Sequence, residues 1–239
     1  MKHINNYERD LYELIGMSIG DGHLSKNKKY KEYALCGDIK EEKDYYEKHV
    51  KKIINKILGK PILKKELKPK YYEKTGVCGF YIFNEKVHDF LIKKGLKPGP
   101  KLNIEIPLKM INNKHINYLI RGLFDTDGSL YFEKNRTAKK PINKVPNIKL
   151  GSTSKKLILQ IKNILVKKGY SPRIKKPHKG KRDKNEIHSI LIYRKADILK
   201  WIKEIDFKNP KHKTKWKVFQ KYGYCLPYST IAHRKKILK

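Results

Sequence analysis

Two stretches of this chain end alike. LIGMSIGDG, residues 14–22, and LIRGLFDTDG, residues 119–128, each carry a helical apolar pattern with small residues into an aspartate followed by glycine, and Asp127 lies 106 positions after Asp21 (127 − 21). The segments that follow them repeat as well. The periodicity predicts a first helix over about 7–20, with Leu11, Leu14, Ile15 and Ser18/Ile19 on recurrent turns and Asn5 or Asn6 as its cap. Short strands follow near 23–29 and 31–39, then a helix, EEKDYYEKHVKKIINKIL, stopping at Gly59. Two strand-like runs, PILKKELKPKYY and GVCGFYIFN, lead to the helix EKVHDFLIKKG, which ends at Gly95. The order is αββαββα. After the connector LKPGPKLNIEIP it returns: helix 114–126, strands near 129–135 and 145–151, helix SKKLILQIKNILVKKG, strands near 172–177 and 187–193, and helix KADILKWIKEI. The expected class is α+β, built from two pseudo-symmetric repeats at residues 1–100 and 101–206. A basic, aromatic extension at 207–239 has no assigned structure.

Charge narrows the partner. Against 23 Asp+Glu stand 58 Lys+Arg, a formal +35 spread over nearly every segment rather than gathered in one tail, so a polyanion, above all nucleic acid, is expected. Cys36, Cys78 and Cys225 are odd in number and widely spaced, which fits ordinary reduced thiols. The histidines show no zinc-ligand spacing. No apolar stretch reaches the roughly 20 residues of a membrane span, and MKHINNYERD lacks a signal-peptide core, so a cytoplasmic location without membrane association is expected. The chain carries neither a nucleophilic first residue nor a terminal His-Asn plus nucleophile, which argues for a free-standing or intron-encoded gene over an intein.

A carboxylate at a helix C-terminus meets the negative end of the dipole and the last unpaired carbonyls, and a hard divalent cation would compensate it. Asp21 and Asp127, with the carbonyls of Gly20 and Thr126, are the oxygen ligands that Mg²⁺ prefers. Gly16 and Gly20 lie four apart on one helix face, as do Gly122 and Thr126, so the helices can pack closely and bring both acids to one end. Paired carboxylates with metal suit phosphodiester hydrolysis. The alternative is that each aspartate only starts an Asp-Gly turn.

The two segments resemble the LAGLIDADG motif: Gly16, Asp21 and Gly22 match its glycine, final acid and final glycine, and Gly122, Asp127 and Gly128 match them again. With the αββαββα unit and the repeat spacing, the chain resembles a single-chain, two-motif LAGLIDADG homing endonuclease over nearly its whole length. The resemblance implies motif helices packed at the centre, two antiparallel sheets forming a saddle in the DNA major groove, and a monomer that hydrolyses both strands of a long site. Mg²⁺ would be the cofactor, Mn²⁺ a substitute, and Ca²⁺ would support binding without efficient cleavage. At the sixth motif position Ile19 and Asp125 differ, and that position is expected to face the core or a cap rather than metal. The family places Gln or Lys where the second strand of each repeat enters its helix; here Asp38, Ile39 and Lys40, and Ser152, Thr153 and Lys155, stand there. Lys101 and Lys211 (or Lys213), following the last helix of each repeat, are candidates to stabilise phosphate charge.

For the DNA-facing surface, Asn147 and Lys149 alternate with Ile148 and Leu150, and Arg173 and Lys175 flank Ile174, so one strand face can pack while the other reads. PHKGKRDKNE is a candidate phosphate clamp. The competing function is an RNA maturase on the same scaffold, with intron RNA as partner.

Overall fold

The structure, a computed structural model, describes residues 2–25, 27, 30–134, 142–180 and 184–239. The first repeat runs α1 (Lys2–Gly20), β1 (Gly22–Leu24), β2 (Glu32–Asp38), α2 (Ile39–Tyr45), α3 (Lys51–Ile54), β3 (Lys70–Tyr72), β4 (Val77–Phe83) and α4 (Glu85–Lys93). A connector with a short helix, α5 (Leu108–Ile111), leads to the second repeat: α6 (Ile116–Asp127), β5 (Gly128–Lys134), β6 (Asn143–Ser152), α7 (Lys155–Lys167), β7 (Arg173–His178), β8 (Ile187–Ile192) and α8 (Lys195–Glu204). Each repeat makes one antiparallel four-stranded sheet, ordered β1-β2-β4-β3 and β5-β6-β8-β7. The two-repeat αββαββα expectation holds.

The centre is the α1/α6 pair. Residues 11–20 of α1 are all buried, because the helix is enclosed by α6, its own sheet and the α3 region. Small residues set the separation: a Cβ on Gly16 would lie 2.0 Å from the Leu119 carbonyl oxygen, and one on Gly122 would lie 2.2 Å from that of Glu13. At the far end a Cβ on Gly20 would lie 2.0 Å from Thr126 Oγ1. Gly16, Gly20, Gly122 and Thr126 thus form the interface that their spacing predicts. Gly122→Leu is expected to force the helix backbones apart and lower stability by at least ~1–3 kcal/mol, read as a drop in the denaturation midpoint.

Glycine is also required after each aspartate. The chain leaves helix directly for strand, so a Cβ on Gly22 would meet Ser18 at 2.5 Å and one on Gly128 the Phe124 ring at 2.2 Å. The Asp-Gly pairs mark a helix-to-strand junction against their own helix rather than a free-standing turn.

Several sequence expectations are corrected. α1 already runs from Lys2, so Asn5 and Asn6 lie within it and do not cap it. The second helix does not stop at Gly59: wide turns at Tyr46–Val50 and Asn55–Leu63 carry it through Pro61 to Leu63, where Lys64 turns left-handed (φ 54). A Cβ on Gly59 would meet Asn55 Oδ1 at 2.5 Å, so that glycine serves packing, not termination. Only Lys70–Tyr72 of PILKKELKPKYY is strand. Parts of the predicted strands 23–29 and 129–135, and of the loop PHKGKRDKNE, lie outside the described residues.

The largest addition to the sequence reading is the extension. Residues 207–239 form α9 (Pro210–Tyr222) and α10 (Ile231–Leu238), with Asn209 capping α9, Pro210 at its first turn, and Gly223 (φ 73) ending it. Buried Asn209 donates to Glu42 Oε1 (2.7 Å) and to the Asp125 carbonyl (2.8 Å), one partner in each repeat. Buried Arg234 bonds Thr214 Oγ1 (2.8 Å) and Glu41 Oε2 (2.9 Å), fastening α10 to α9 and α2. The extension is therefore a clasp across both repeats.

Candidate active site

Asp21 ends the α1 hydrogen-bond ladder, its N–H donating to the Met17 carbonyl at 3.0 Å, and Asp127 is the last residue of α6. Because the helices run together, the two side chains meet and hydrogen-bond to each other. Burial raises the Asp21 carboxyl to about 7, with the charges of Asp127 and Glu42 adding to the shift and Lys211 and Lys101 opposing it. Burial also raises Asp127, against Lys101, the Asp21 bond and Lys211. Burial of two adjacent carboxyls thus favours the protonated form of the pair.

The two lysines hold equivalent places. Lys101 Nζ donates to the Gly20 carbonyl, and Lys211 Nζ to the Thr126 carbonyl at 2.9 Å. Each ammonium thus sits on the carbonyl just before its aspartate, and the carbonyls expected to bind metal are engaged by lysine instead. Burial lowers the Lys101 ammonium although Asp127 and Asp21 favour its charge. Lys213 is exposed on α9, so of the two alternatives it is Lys211 that joins the site.

Glu42 is the residue that sequence reasoning missed. It lies four residues beyond Asp38, which caps α2, and reaches the acidic pair from the first turns of that helix. Asp38 and Lys40, at the strand-to-helix junction, are instead surface-exposed. Its position four residues past Asp38 was its only sequence signal, and Glu41, Asp44 and Glu47 in the same stretch left it one acid among several.

Asp125 points away from the pair. It is wholly buried, accepts Lys208 N–H through Oδ2 at 2.8 Å, and has an unpartnered Oδ1. Burial raises it to about 8, against the Lys208 and Asn209 bonds. The folded chain therefore holds this proton where the unfolded chain, near 3.8, has released it, so Asp125 costs stability progressively as pH rises from about 4 to about 8. Asp125→Asn is expected to flatten the fall of thermal midpoint over that window by the equivalent of a few kcal/mol. A slope identical to that of the unaltered protein would contradict this.

The sheets flank the site. In the second sheet, cross-strand register aligns Ser129, Lys149, Leu191 and Arg173 on the face opposite the core residues Ile148 and Leu150. Arg173 and Lys175 are exposed on edge strand β7, as is Ile174, which does not pack as expected. Asn147 shares the Lys149 face but is buried, its amide on the Val145 carbonyl at 3.1 Å, so it is not presented for base reading. Lys155 is exposed at the start of α7. In the first sheet the same register aligns His23, Ala34 and Tyr81 in one row and Cys36, Gly79 and Lys70 in another, none of them singled out by sequence. The cysteines are free.

Among the described residues no three His, Cys, Asp or Glu side chains gather to hold an ion. A divalent cation would rest on the two carboxylates, with solvent completing its shell. Asp21 and Asp127 are buried, adjacent oxygen donors, a donor chemistry that fits a hard cation.

Fold and site define a class: a pseudo-symmetric α+β protein whose repeats each give one acid and one sheet to a shared site, with one lysine from the connector and one from the C-terminal extension. Residues 114–206 match the family model of the LAGLIDADG-like domain. A DNA polymerase of Thermococcus sp. (strain GE8) is 25% identical over 163 residues, which are 65% of this chain and 8% of that protein's length. The LAGLIDADG homing endonuclease I-LtrWI bound to target DNA superposes with TM-score 0.61 at 13% identity, covering 91% of this chain and 90% of its own. Mesophilic variants of the homing endonuclease I-DmoI give 0.57 at 15% identity, covering 84% and 97%. The homing endonuclease I-WcaI bound to its DNA recognition sequence gives 0.50 at 18% identity, covering 84% and 86%. Residues 114–206 thus carry a LAGLIDADG-like domain, and the chain as a whole shares the fold of these homing endonucleases. Among the described residues, no helix is long and apolar enough to cross a membrane.

Proposed function

We propose that this protein is a site-specific DNA endonuclease that hydrolyses one phosphodiester bond in each strand of a long duplex site. The observation that carries this reading is the meeting of Asp21 and Asp127 at one end of the α1/α6 pair, with Lys101 and Lys211 disposed about them in matching positions. Two acids, one from each repeat, and two lysines placed alike beside them fit two scissile phosphates related by the same pseudo-symmetry. Because one chain supplies both halves, it acts as a monomer.

Asp21 and Asp127 would hold Mg²⁺, which activates water and neutralises charge on the phosphate; Mn²⁺ substitutes for it and Ca²⁺ supports binding with little cleavage. Lys101 and Lys211 present ammonium groups to the phosphates, in a buried setting where charge acts more strongly than in water. The outer sheet faces, with Lys149, Arg173 and Lys175, and the helix starts at Lys40 and Lys155, follow the duplex on either side. I-LtrWI and I-WcaI, bound to DNA with this fold, support that partner.

Binding is expected to be steeply salt-dependent: with about eight phosphates neutralised, log K should fall with a slope near about −7 against log[salt]. Titration of labelled duplex at several salt concentrations measures it. Cleavage of supercoiled plasmid carrying a site selected for binding tests the activity. Structured intron RNA bound orders of magnitude more tightly than any duplex would put the maturase reading ahead.

A further inference from the structure

The two halves of the site differ by one charge. Lys101 and Lys211 are placed alike relative to their aspartates, 80 residues after Asp21 (101 − 21) and 84 after Asp127 (211 − 127). Among the described residues, of the two lysines only Lys211 makes a direct ion pair, with Glu42 Oε1 at 2.7 Å, and both of those side chains are largely buried. Among the described residues the symmetry-related place holds no such carboxylate. Glu42 is the fourth residue after the α2 cap, Asp38, and the fourth after the α7 cap, Ser154, is Ile158, packed in the core. α7 contains no acidic residue at all, and Glu105, in the connector beside it, pairs with Lys97 and Lys156 instead.

Glu42 is not free to act as a ligand. Its Oε2 accepts the Asp38 N–H at 2.9 Å, and its Oε1 accepts both Lys211 and Asn209 Nδ2, each at 2.7 Å. Its remaining effect is electrostatic: the carboxylate offsets the Lys211 ammonium and repels phosphate approaching that half. Resting on the endonuclease reading, we propose that Glu42 is a positioning residue that makes the half-sites unequal, so that the strand lying against Lys101 is cut first and the strand against Lys211 second.

The test uses the full chain and a duplex selected from a randomised library by binding in Ca²⁺, with a different dye on each strand, followed under single-turnover conditions in Mg²⁺. Lys101→Ala and Lys211→Ala assign the strands, each slowing mainly one. The unaltered protein is expected to cut the Lys211 strand roughly tenfold more slowly than the other, a ratio equal to ~1.4 kcal/mol. Glu42→Gln, which keeps the shape and most of the hydrogen bonds, should bring the two rates to within about threefold by accelerating the slow strand. Because both strands are read on the same protein molecules, a loss of folded protein leaves the ratio unchanged. Equal rates in the unaltered protein, a faster Lys211 strand, lysine variants that slow both strands alike, or a ratio unmoved by Glu42→Gln each overturn the inequality while leaving the endonuclease reading standing. Cleavage of neither strand by the unaltered protein overturns both.

Discussion

Asp21→Asn and Asp127→Asn are each expected to lower double-strand cleavage by on the order of a thousandfold or more, equivalent to ~4 kcal/mol of transition-state stabilisation, while DNA binding survives. Asparagine keeps nearly the same shape but removes the charge a divalent cation needs, and a shared site loses that charge for both half-sites. Burial already favours the protonated form of the pair, so replacing one carboxyl with a neutral amide relieves repulsion and should leave the fold intact or slightly firmer. The readout is conversion of supercoiled plasmid to nicked and linear forms, beside a binding titration in Ca²⁺. Linearisation persisting in both variants sinks the assignment. Loss of specific binding together with cleavage would instead make these aspartates shapers of the helix ends.

Arg121→Met is expected to cost about 3–5 kcal/mol of stability, because it strands a buried carboxylate at the repeat interface. Glu13, on α1, is 1% exposed and receives Arg121 Nε at 3.0 Å, Arg121 Nη2, and His49 Nε2 at 2.6 Å. Burial alone would raise this carboxyl, but the His49 and Arg121 bonds together hold it below its ordinary 4.5. A depressed carboxyl contributes stability that is present above about 4.5 and lost as pH falls through the folded value, so the difference between Arg121→Met and the unaltered protein should shrink on acidification. The double variant Glu13→Leu/Arg121→Met should regain much of the loss, since an apolar pair leaves no unpaired charge between the helices. Chemical denaturation of the unaltered protein, Arg121→Met, Glu13→Leu and the double variant measures this. Additive losses in the double variant would show that the two residues act separately.

How legible each feature was depended on its range. The repeats, the sheet membership and the acid pair could be read because they rest on local signals: period-3.6 and period-2 apolar patterns, and small residues four apart. Asp21 and Asp127 stood out because the same junction occurs twice. Asn147 was misjudged because alternation assigns a residue to a strand face but not its depth, which neighbouring strands and loops decide. Gly59 was read as a stop signal, though there its missing side chain makes room for Asn55 instead.

The extension and Glu42 were illegible for a different reason. Lys211, Asn209 and Arg234 find their partners at Glu42, Asp125 and Glu41, up to 193 positions away; Lys211 was named with Lys213 through the family resemblance, but nothing local in a lysine-rich tail separates the two or marks Asn209 and Arg234. By itself, the amino-acid sequence determined two αββαββα units, a close-packed helix pair and an acid at the end of each helix, since these follow from periodicity and residue size within short windows. Only the tertiary structure decided that the tail clasps both repeats, that each lysine sits on its helix-end carbonyl, and that one half-site carries the extra carboxylate of Glu42, because hydrogen bonds and ion pairs between distant segments are selected by the packing that brings them together.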